Sequence, residues 1–331
     1  MPGAAVDRPP EAAPRSAEPP AAAGGRVIDV PTADGWTIHL EERPPQRTPA
    51  RAAVVLAPGM MVDRRCLDRP PGGGMASFFA AAGHHVYTLD LRGHGASRPS
   101  AGEGGDWTYD EIVAHDVPAA VEEVARRHPR LPLAWIGHSL SAHAGAAALG
   151  QRPDLPVDAA VLVGPVVWIR PHEPSLAWWL YKRALLALWS GVTRLAGRTP
   201  ARRLGIGSDD EAPGYVAQFG TWARSGRWRG APGGATGGAD YLAGLARIEV
   251  PVLVVNARGD AWICRTPAVR RFAAALERAP VTFLELGRDE LGTRREPRHM
   301  ALVTDPACRR GWERIVEWLD RTLPPATERS G

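Results

Sequence analysis

The sequence contains very little lysine, although it is rich in basic residues. Lys182 is the only lysine among 40 basic residues, and all the others are arginine. The arginines are scattered or stand in short pairs, and no basic stripe interleaved with aromatic residues occurs. Because alanine, glycine and proline are also abundant, the arginine content indicates a compositional bias of the genome. We therefore expect no nucleic-acid partner.

Cysteine is also scarce. The three cysteines, Cys66, Cys264 and Cys308, lie far apart in the chain, and their number is odd. No two of them have the spacing of metal ligands, and they do not form the pattern of a disulfide framework. We therefore expect no disulfide scaffold, no metal ion and no cofactor.

Long apolar runs are missing as well. The N-terminus has no apolar segment of the kind that a secretory signal needs, and no uninterrupted run approaches about 20 apolar residues. We expect no secretory signal and no integral membrane association, and a cytoplasmic location is the default. The composition, with 44% hydrophobic and 23% charged residues, is ordinary for a soluble globular protein.

The length of 331 residues allows one large α/β domain with an insertion, or two domains. Residues 1–25 carry almost no large apolar side chains, so we predict a disordered N-terminal tail. Residues 324–331 are predicted to be a C-terminal tail. Between the tails, we expect two core segments, 26–165 and 246–323, separated by an insertion at 166–245.

Apolar runs of strand length alternate with helical patterns in both core segments. This alternation predicts an α/β fold with a doubly wound, mostly parallel sheet. A hairpin is expected at Asp34-Gly35, between the first two strands. The predicted strands are Arg26–Val30, Trp36–Leu40, Ala52–Ala57, His85–Leu89, the run from Leu133 to Ile136, Ala159–Val163, Val250–Val255 and Val281–Leu286. The predicted core helices are Met75–Ala82, Tyr109–Arg127, Ala142–Leu149, Pro267–Glu277 and Pro306–Thr322.

The insertion at 166–245 is predicted to form a helical lid. Residues 175–196 have the pattern of a long amphipathic helix, and six of the 12 tryptophans lie between residues 168 and 228. These aromatic side chains are typical of a core within the lid. An apolar substrate pocket or a membrane contact is the alternative interpretation.

The sequence Gly-His-Ser-Leu-Ser at 137–141 follows a buried strand and precedes a helix of small residues. This pattern predicts a sharp turn with Ser139 at its apex, and small residues on both sides are needed to tolerate it. The backbone amide of Leu140 would then face the position of a developing oxyanion. Ser141 stands where such turns usually have glycine.

A second turn, Pro58-Gly59-Met60, directly follows another buried strand. A glycine here lets the backbone cross the end of the sheet, and the amide of Met60 could supply a second oxyanion donor. An ordinary connection between a strand and a loop is the alternative interpretation.

Two further candidates for acid–base chemistry follow in the chain. Asp260 lies in the loop after the strand that ends at Val255, and His299 lies in a loop near the C-terminus. Loops at the carboxyl ends of parallel strands converge, so Ser139, Asp260 and His299 can meet. A serine hydroxyl needs a base, and a carboxylate orients that base. Asp289 is the reserve acid; Asp240 is a weaker alternative.

Together these motifs resemble the α/β-hydrolase superfamily, and they are most similar to lipase-like and serine-aminopeptidase-like serine hydrolases. The resemblance rests on the turns at 137–141 and 58–60, the loop Asp90-Leu91-Arg92-Gly93-His94-Gly95-Ala96-Ser97, the segment 252–260, and His299. It covers roughly residues 26–323. It implies Ser139 as nucleophile, His299 as base, Asp260 as acid, and Met60 and Leu140 as oxyanion donors.

The expected function is that of a serine hydrolase. The substrate would be a small molecule carrying a carboxylic ester, or a thioester or amide, with an apolar acyl part. Two alternatives stay open at this stage. The same three residues could transfer an acyl group or close a ring in natural-product tailoring, or the chain could be a non-catalytic ligand-binding relative.

Overall fold

A computed structural model describes residues 25–326 of the chain. Residues 1–24 of the predicted N-terminal tail and residues 327–331 of the predicted C-terminal tail therefore lie outside the described residues. The described residues form one sheet of eight strands, and helices pack on it. The strand order is β1-β2-β4-β3-β5-β6-β7-β8. The strands are β1 Arg26–Pro31, β2 Thr37–Arg43, β3 Ala53–Ala57, β4 His85–Asp90, β5 Leu133–His138, β6 Ala159–Val163, β7 Val252–Ala257 and β8 Val281–Leu286.

The first two strands form the predicted hairpin. Gly35 turns the chain with a φ of 86°, a backbone conformation that favours glycine. β1 pairs antiparallel with β2, and β2 pairs antiparallel with β4, while all the pairs from β3 to β8 are parallel. The mostly parallel sheet expected from the sequence is therefore confirmed.

Alternate residues of the central strands enter two different hydrophobic cores. Val55 of β3 packs into one core, whereas its neighbours Val54 and Leu56 pack into the other. Helices cover both faces, which explains the continuous apolar runs in the sequence. The helices are α1 Met75–Ala81, α2 Tyr109–Glu111, α3 Val117–Arg127, α4 Leu140–Gln151, α5 Leu176–Ala196, α6 Ala201–Leu204, α7 Pro213–Ser225, α8 Tyr241–Leu245, α9 Thr266–Ala274, α10 Arg288–Leu291, α11 Ala301–Thr304 and α12 Arg309–Thr322.

The predicted helix Tyr109–Arg127 is interrupted. Residues Ile112–Asp116 form a π-helical turn between α2 and α3, and the amide of Val117 donates to the carbonyl of Ile112. Pro118 follows at once and has no amide hydrogen for the regular helical ladder. The wider turn therefore lies where proline disturbs the α-helical pattern.

Four helices, α5 to α8, lie between β6 and β7. A buried ion-pair group joins this inserted segment to the core. Glu173 accepts from Lys182 of α5 at 3.1 Å and from Arg265, which precedes α9, at 3.0 Å. The only lysine of the chain is thus part of a buried group of charges that connects the inserted segment with the core.

The outer face of α5 is apolar and exposed. Leu176, Leu180 and Leu188 are each about half exposed or more, and the side chain of Leu195 is 91% exposed. Even so, none of the helices within residues 25–326 is both long enough and apolar enough to cross a bilayer.

Helix α4 packs so closely on β5 that one position between them requires glycine. A Cβ atom added to Gly145 would lie 2.1 Å from Nε1 of Trp135, which is almost completely buried. At Gly191 of α5, by contrast, an added Cβ would meet no atom within 4 Å. These two helical glycines form a matched pair.

We predict that Gly145→Ala lowers the free energy of unfolding by about 1–3 kcal/mol, because the methyl group overpacks the contact with Trp135. Gly191→Ala is expected to leave it unchanged or raise it by up to about 1 kcal/mol, since alanine favours the helix. Denaturant unfolding of the two variants checks both values. Equal stability of the two variants would contradict this account of the packing.

Candidate active site

Ser139 lies at the sharp turn between β5 and α4. Its backbone has a φ of 52° and a ψ of −111°, and Met61 is the only other non-glycine residue within 25–326 that has a positive φ. Such a conformation costs about 1–3 kcal/mol and persists only where the surroundings enforce it. The amide of Ser139 donates to the carbonyl of Val163 at the end of β6, with a length of 2.8 Å.

The residues on either side of Ser139 fit this turn for different reasons. A Cβ atom at Gly137 would lie 2.2 Å from the carbonyl oxygen of Ser141, so glycine is required there. Ser141, where glycine was expected, is completely buried, and its hydroxyl donates to the carbonyl of Pro58. The serine therefore joins the start of α4 to the turn after β3, a contact that the sequence did not indicate.

Asp260 and His299 form a buried hydrogen bond. Nδ1 of His299 donates to Oδ2 of Asp260 at 2.7 Å, and the amide of Ile263 donates to the other carboxylate oxygen at 2.9 Å. Burial acts to raise the pKa of Asp260, but the hydrogen bonds from His299 and from backbone amides outweigh it, and the pKa is lowered. The carboxylate is therefore ionised and fixes the proton of His299 on Nδ1.

The other two candidate acids do not contact His299. The side chain of Asp289 is 78% exposed and faces Arg288 at 3.4 Å. Asp240 caps α8 through the amide of Ala243 and pairs with Arg229. Of the three acids considered from the sequence, Asp260 alone reaches the imidazole.

Ser139 and His299 both lie beside the end of β6. An added Cβ atom at Gly164, the residue after Val163, would lie 3.0 Å from Cε1 of His299. Nε2 of His299 is buried and has no hydrogen-bond partner within residues 25–326. The imidazole thus has one nitrogen fixed by Asp260 and one nitrogen without a partner among residues 25–326.

His138, next to Ser139, packs against the same imidazole. The two rings lie 4.7 Å apart, and Nε2 of His138 donates to the backbone carbonyl of His299 at 3.1 Å. Burial and the neighbouring His299 ring lower the pKa of His138 to about 3. His138 is therefore neutral and helps to hold the loop that carries His299.

The turn after β3 runs beside Ser139. A Cβ atom at Gly59 would lie 3.3 Å from Cβ of Ser139 and 3.2 Å from Nδ1 of His138, so a side chain there would crowd both residues. Within the part of the chain that the structure describes, the amides of Met60 and Leu140 donate no hydrogen bond to another residue. Both amides are thus available to an oxyanion.

The inserted segment holds this turn from the other side. The amide of Met61 donates to Oε2 of Glu211 at 3.2 Å, and the carbonyl of Met61 accepts from the amide of Asp209 at 3.0 Å. Glu211 is completely buried and faces Nε2 of the equally buried His94 at 3.5 Å. A buried charge pair therefore supports the turn that carries Met60.

The electrostatics of this pair depend on His94. Burial alone lowers the pKa of a histidine, but the charge of Glu211, the carbonyl of Arg92 and the charge of Asp209 raise the pKa of His94 to about 9. His94 is therefore positively charged at neutral pH. In the sequence, His94 stands out only as part of a loop motif. Its pairing with Glu211 is not visible there, because Glu211 lies far away in the chain.

Two aromatic side chains lie next to the loop of Asp260. Trp168 donates from its indole nitrogen to the carbonyl of Ile263 at 3.1 Å and packs edge to face on Trp262, with ring centres 5.7 Å apart. Trp262 is 39% exposed. An apolar surface thus lies beside the loop of the carboxylate.

Asp260, Cys264 and His299 each bring a potential metal-ligand atom to within 4.8 Å of the others. The thiol of Cys264, however, donates to the carbonyl of Gly164 at 3.1 Å. Burial raises its pKa well above the usual value, so the sulfur keeps its proton. A protonated thiol is a poor metal ligand, so this arrangement does not fit a metal centre.

We predict that the wild-type protein loses the stabilisation that His94 provides as the pH rises from about 6.5 to 9. A histidine whose pKa is raised by folding stabilises the folded state fully below pH 6.5, and this contribution is lost as the pH rises through the folded value of about 9. His94→Gln removes this loss, and the half-buried His115→Gln serves as a control that keeps it. Denaturant unfolding at each pH measures the effect, and an equal decline in wild type and His94→Gln would contradict it.

A family model for hydrolases described as serine aminopeptidase, S33, matches residues 48–286. The match includes Ser139 and Asp260 and ends before His299. Lipase member N of Mus musculus is 28% identical over 153 residues, which cover 42% of this chain and 38% of that protein. The chain thus spans about two fifths of the length of the curated relatives it matches.

Two solved structures show the same fold. An esterase from Pyrococcus furiosus matches with a TM-score of 0.56 and 15% identity, over 96% of this chain and 99% of the esterase. A monoacylglycerol lipase from Paleococcus ferrophilus matches with a TM-score of 0.57 and 18% identity, over 86% of this chain and 99% of the lipase. With the family match covering most of its length, the chain belongs to the serine aminopeptidase (S33) family of α/β hydrolases.

Proposed function

We propose that the protein is a serine hydrolase that cleaves a carboxylic ester through an acyl-enzyme. The observation that carries this proposal is the buried hydrogen bond between His299 and Asp260 beside the strained turn at Ser139. One imidazole nitrogen is fixed by the carboxylate, and the other has no partner in the part of the chain that the structure describes. This is the state that a general base requires before it accepts a proton.

The proposed ester hydrolysis uses Ser139, His299 and Asp260 in the following steps. Oγ of Ser139 attacks the ester carbonyl carbon, and Nε2 of His299 takes the hydroxyl proton. The tetrahedral intermediate then collapses, and His299 returns this proton to the leaving alcohol. Water attacks the acyl-enzyme in the same way and loses a proton to His299, which passes it back to Ser139 as the acid leaves. Asp260 stabilises the transient imidazolium throughout.

The amides of Met60 and Leu140 are the proposed oxyanion donors. Within the described residues these amides donate no hydrogen bond, and Gly59 lets the turn that carries Met60 pass close to Ser139. A preorganised donor of this type contributes roughly 10²–10³ in rate. The buried pair of Glu211 and His94 holds the turn through Met61, so the inserted segment acts on the oxyanion site as well as covering the sheet.

An apolar acyl group fits the surroundings of the proposed site. Trp168 and Trp262 lie next to the loop of Asp260, and Trp262 is partly exposed. Lipases and esterases among the relatives and structural neighbours favour an ester over an amide as the substrate. We propose that the segment 166–245 is the lid that forms the acyl side of this site.

We predict that Ser139→Ala lowers kcat for a p-nitrophenyl ester by at least about 10³-fold, because the nucleophile is lost. Ser225→Ala, at an exposed position at the end of α7, is the control and keeps wild-type turnover. Initial rates with butyrate and octanoate esters measure both effects, and circular dichroism checks the fold. Undiminished turnover in folded Ser139→Ala would remove this mechanism.

Asp260→Asn is expected to lower kcat by about 10²–10⁴-fold, because the amide no longer holds the proton on Nδ1 of His299. Asp289→Asn is the matched control, since Asp289 is exposed and does not touch the imidazole. Its turnover is predicted to stay within a factor of two of wild type. The opposite pattern, with loss of activity in Asp289→Asn alone, would reassign the acid.

A further inference from the structure

A second cluster of polar side chains lies at the end of the sheet where the parallel strands begin, opposite to the end that carries Ser139. Ser139 and Asp260 follow the carboxyl ends of their strands, whereas His85 begins β4 and Glu42 lies near the end of the antiparallel β2. At about 3.3 Å per residue, the six residues of β4 separate the two edges by roughly 17 Å. This cluster is therefore not part of the site proposed for hydrolysis.

Local geometry explains why the cluster forms. His85 and Tyr87 are two residues apart in one strand, so their side chains share a face, and their rings stack 5.3 Å apart. Glu42 lies directly opposite Tyr87 in the neighbouring strand. His128 is the residue that ends α3, and its ring lies 4.1 Å from the ring of His85.

The polar atoms of these side chains converge. Nε2 of His85 lies 2.8 Å from a carboxylate oxygen of Glu42, and the hydroxyl of Tyr87 lies 3.0 Å from the same oxygen. Nε2 of His128 lies 2.6 Å from that hydroxyl. Glu42, His85 and His128 each place a potential ligand atom within 4.8 Å of the others. Tetrahedral zinc with bonds of about 2.1 Å needs ligand atoms about 3.4 Å apart, so small shifts would suffice.

Solvent can reach the cluster, and a neighbouring cation is compensated. Glu42, His85 and His128 are all partly exposed. Arg127 acts electrostatically on Glu42, but it is itself paired with Glu123 at 2.7 Å. A metal ion from solvent can therefore approach the two imidazoles and the carboxylate. Arg127 opposes it only weakly, because the charge of Arg127 is compensated by Glu123.

We propose that Glu42, His85 and His128 bind a zinc ion, with water as the fourth ligand. Two histidines and a glutamate are a ligand set that zinc accepts. On binding, the Nε2 proton that His85 now donates to Glu42 would move to Nδ1, so that Nε2 can coordinate the ion. The ion would join β2, β4 and α3 at the edge of the sheet away from Ser139. Zinc binding at this place does not depend on the proposed ester hydrolysis.

The test is zinc-dependent thermal stability of the full chain after dialysis against a chelator. Zinc chloride at micromolar concentration is expected to raise the Tm of wild type by about 3 °C or more, because a ligand that binds the folded state stabilises it. His85→Gln and His128→Gln are expected to lose this rise. His115→Gln, which lies outside the cluster, is the control and should keep it.

Chemical modification of the wild-type protein tests the same proposal without variants, whose folding could itself be impaired. Zinc should protect His85 and His128 from diethyl pyrocarbonate, as read by mass spectrometry, and leave His115 reactive. The proposal is overturned if zinc neither raises the Tm of wild type nor protects these histidines. It is equally overturned if the rise survives in both histidine variants and disappears in Cys264→Ser, which would place the ion beside His299.

Discussion

The backbone of Ser139 is the constraint on which the rest of the proposed site depends. Its φ of 52° brings the hydroxyl out of the turn, and this conformation is held by contacts on every side. The amide is fixed by Val163 of β6, and the absence of side chains at Gly137 and Gly59 leaves room for the turn. Contacts from three neighbouring strands thus hold the turn, so the proposed nucleophile lies on a rigid part of the sheet.

Buried charges extend this rigidity into the inserted segment. His94 and Glu211 support the turn that carries Met60, while Lys182 and Glu173 attach α5 to the loop before α9. Each pair loses hydration on burial, and this cost offsets part of the attraction between its charges. The inserted segment therefore holds the turn that carries Met60, one of the proposed oxyanion donors.

The sequence was sufficient to predict the fold, and it singled out Ser139, Asp260 and His299 as candidates, because the signals for both are local. A strand buried on both faces, such as Ala159–Val163, reads as a continuous apolar run, and a turn such as 137–141 needs small residues within a few positions. The interruption at Ile112–Asp116 was not predicted, since helical periodicity does not distinguish a π turn from an α turn.

The missed features depend on contacts between distant parts of the chain. Ser141 and Pro58 are separated by 83 residues, and nothing near Ser141 indicates that its hydroxyl has a partner. The same holds for Glu211 with His94, and for Glu42 with His85 and His128, which meet only after strand register and helix packing are set. Side-chain chemistry was visible in the sequence, but proximity was not.

The central claim is that folding makes one hydroxyl, that of Ser139, a nucleophile. Labelling of the folded protein with a fluorophosphonate, followed by peptide mass spectrometry, tests it most directly. The account predicts a covalent adduct on Ser139 that is absent after denaturation before labelling and absent in His299→Ala. A folded protein that remains unlabelled, or that is labelled on a different serine, would contradict it.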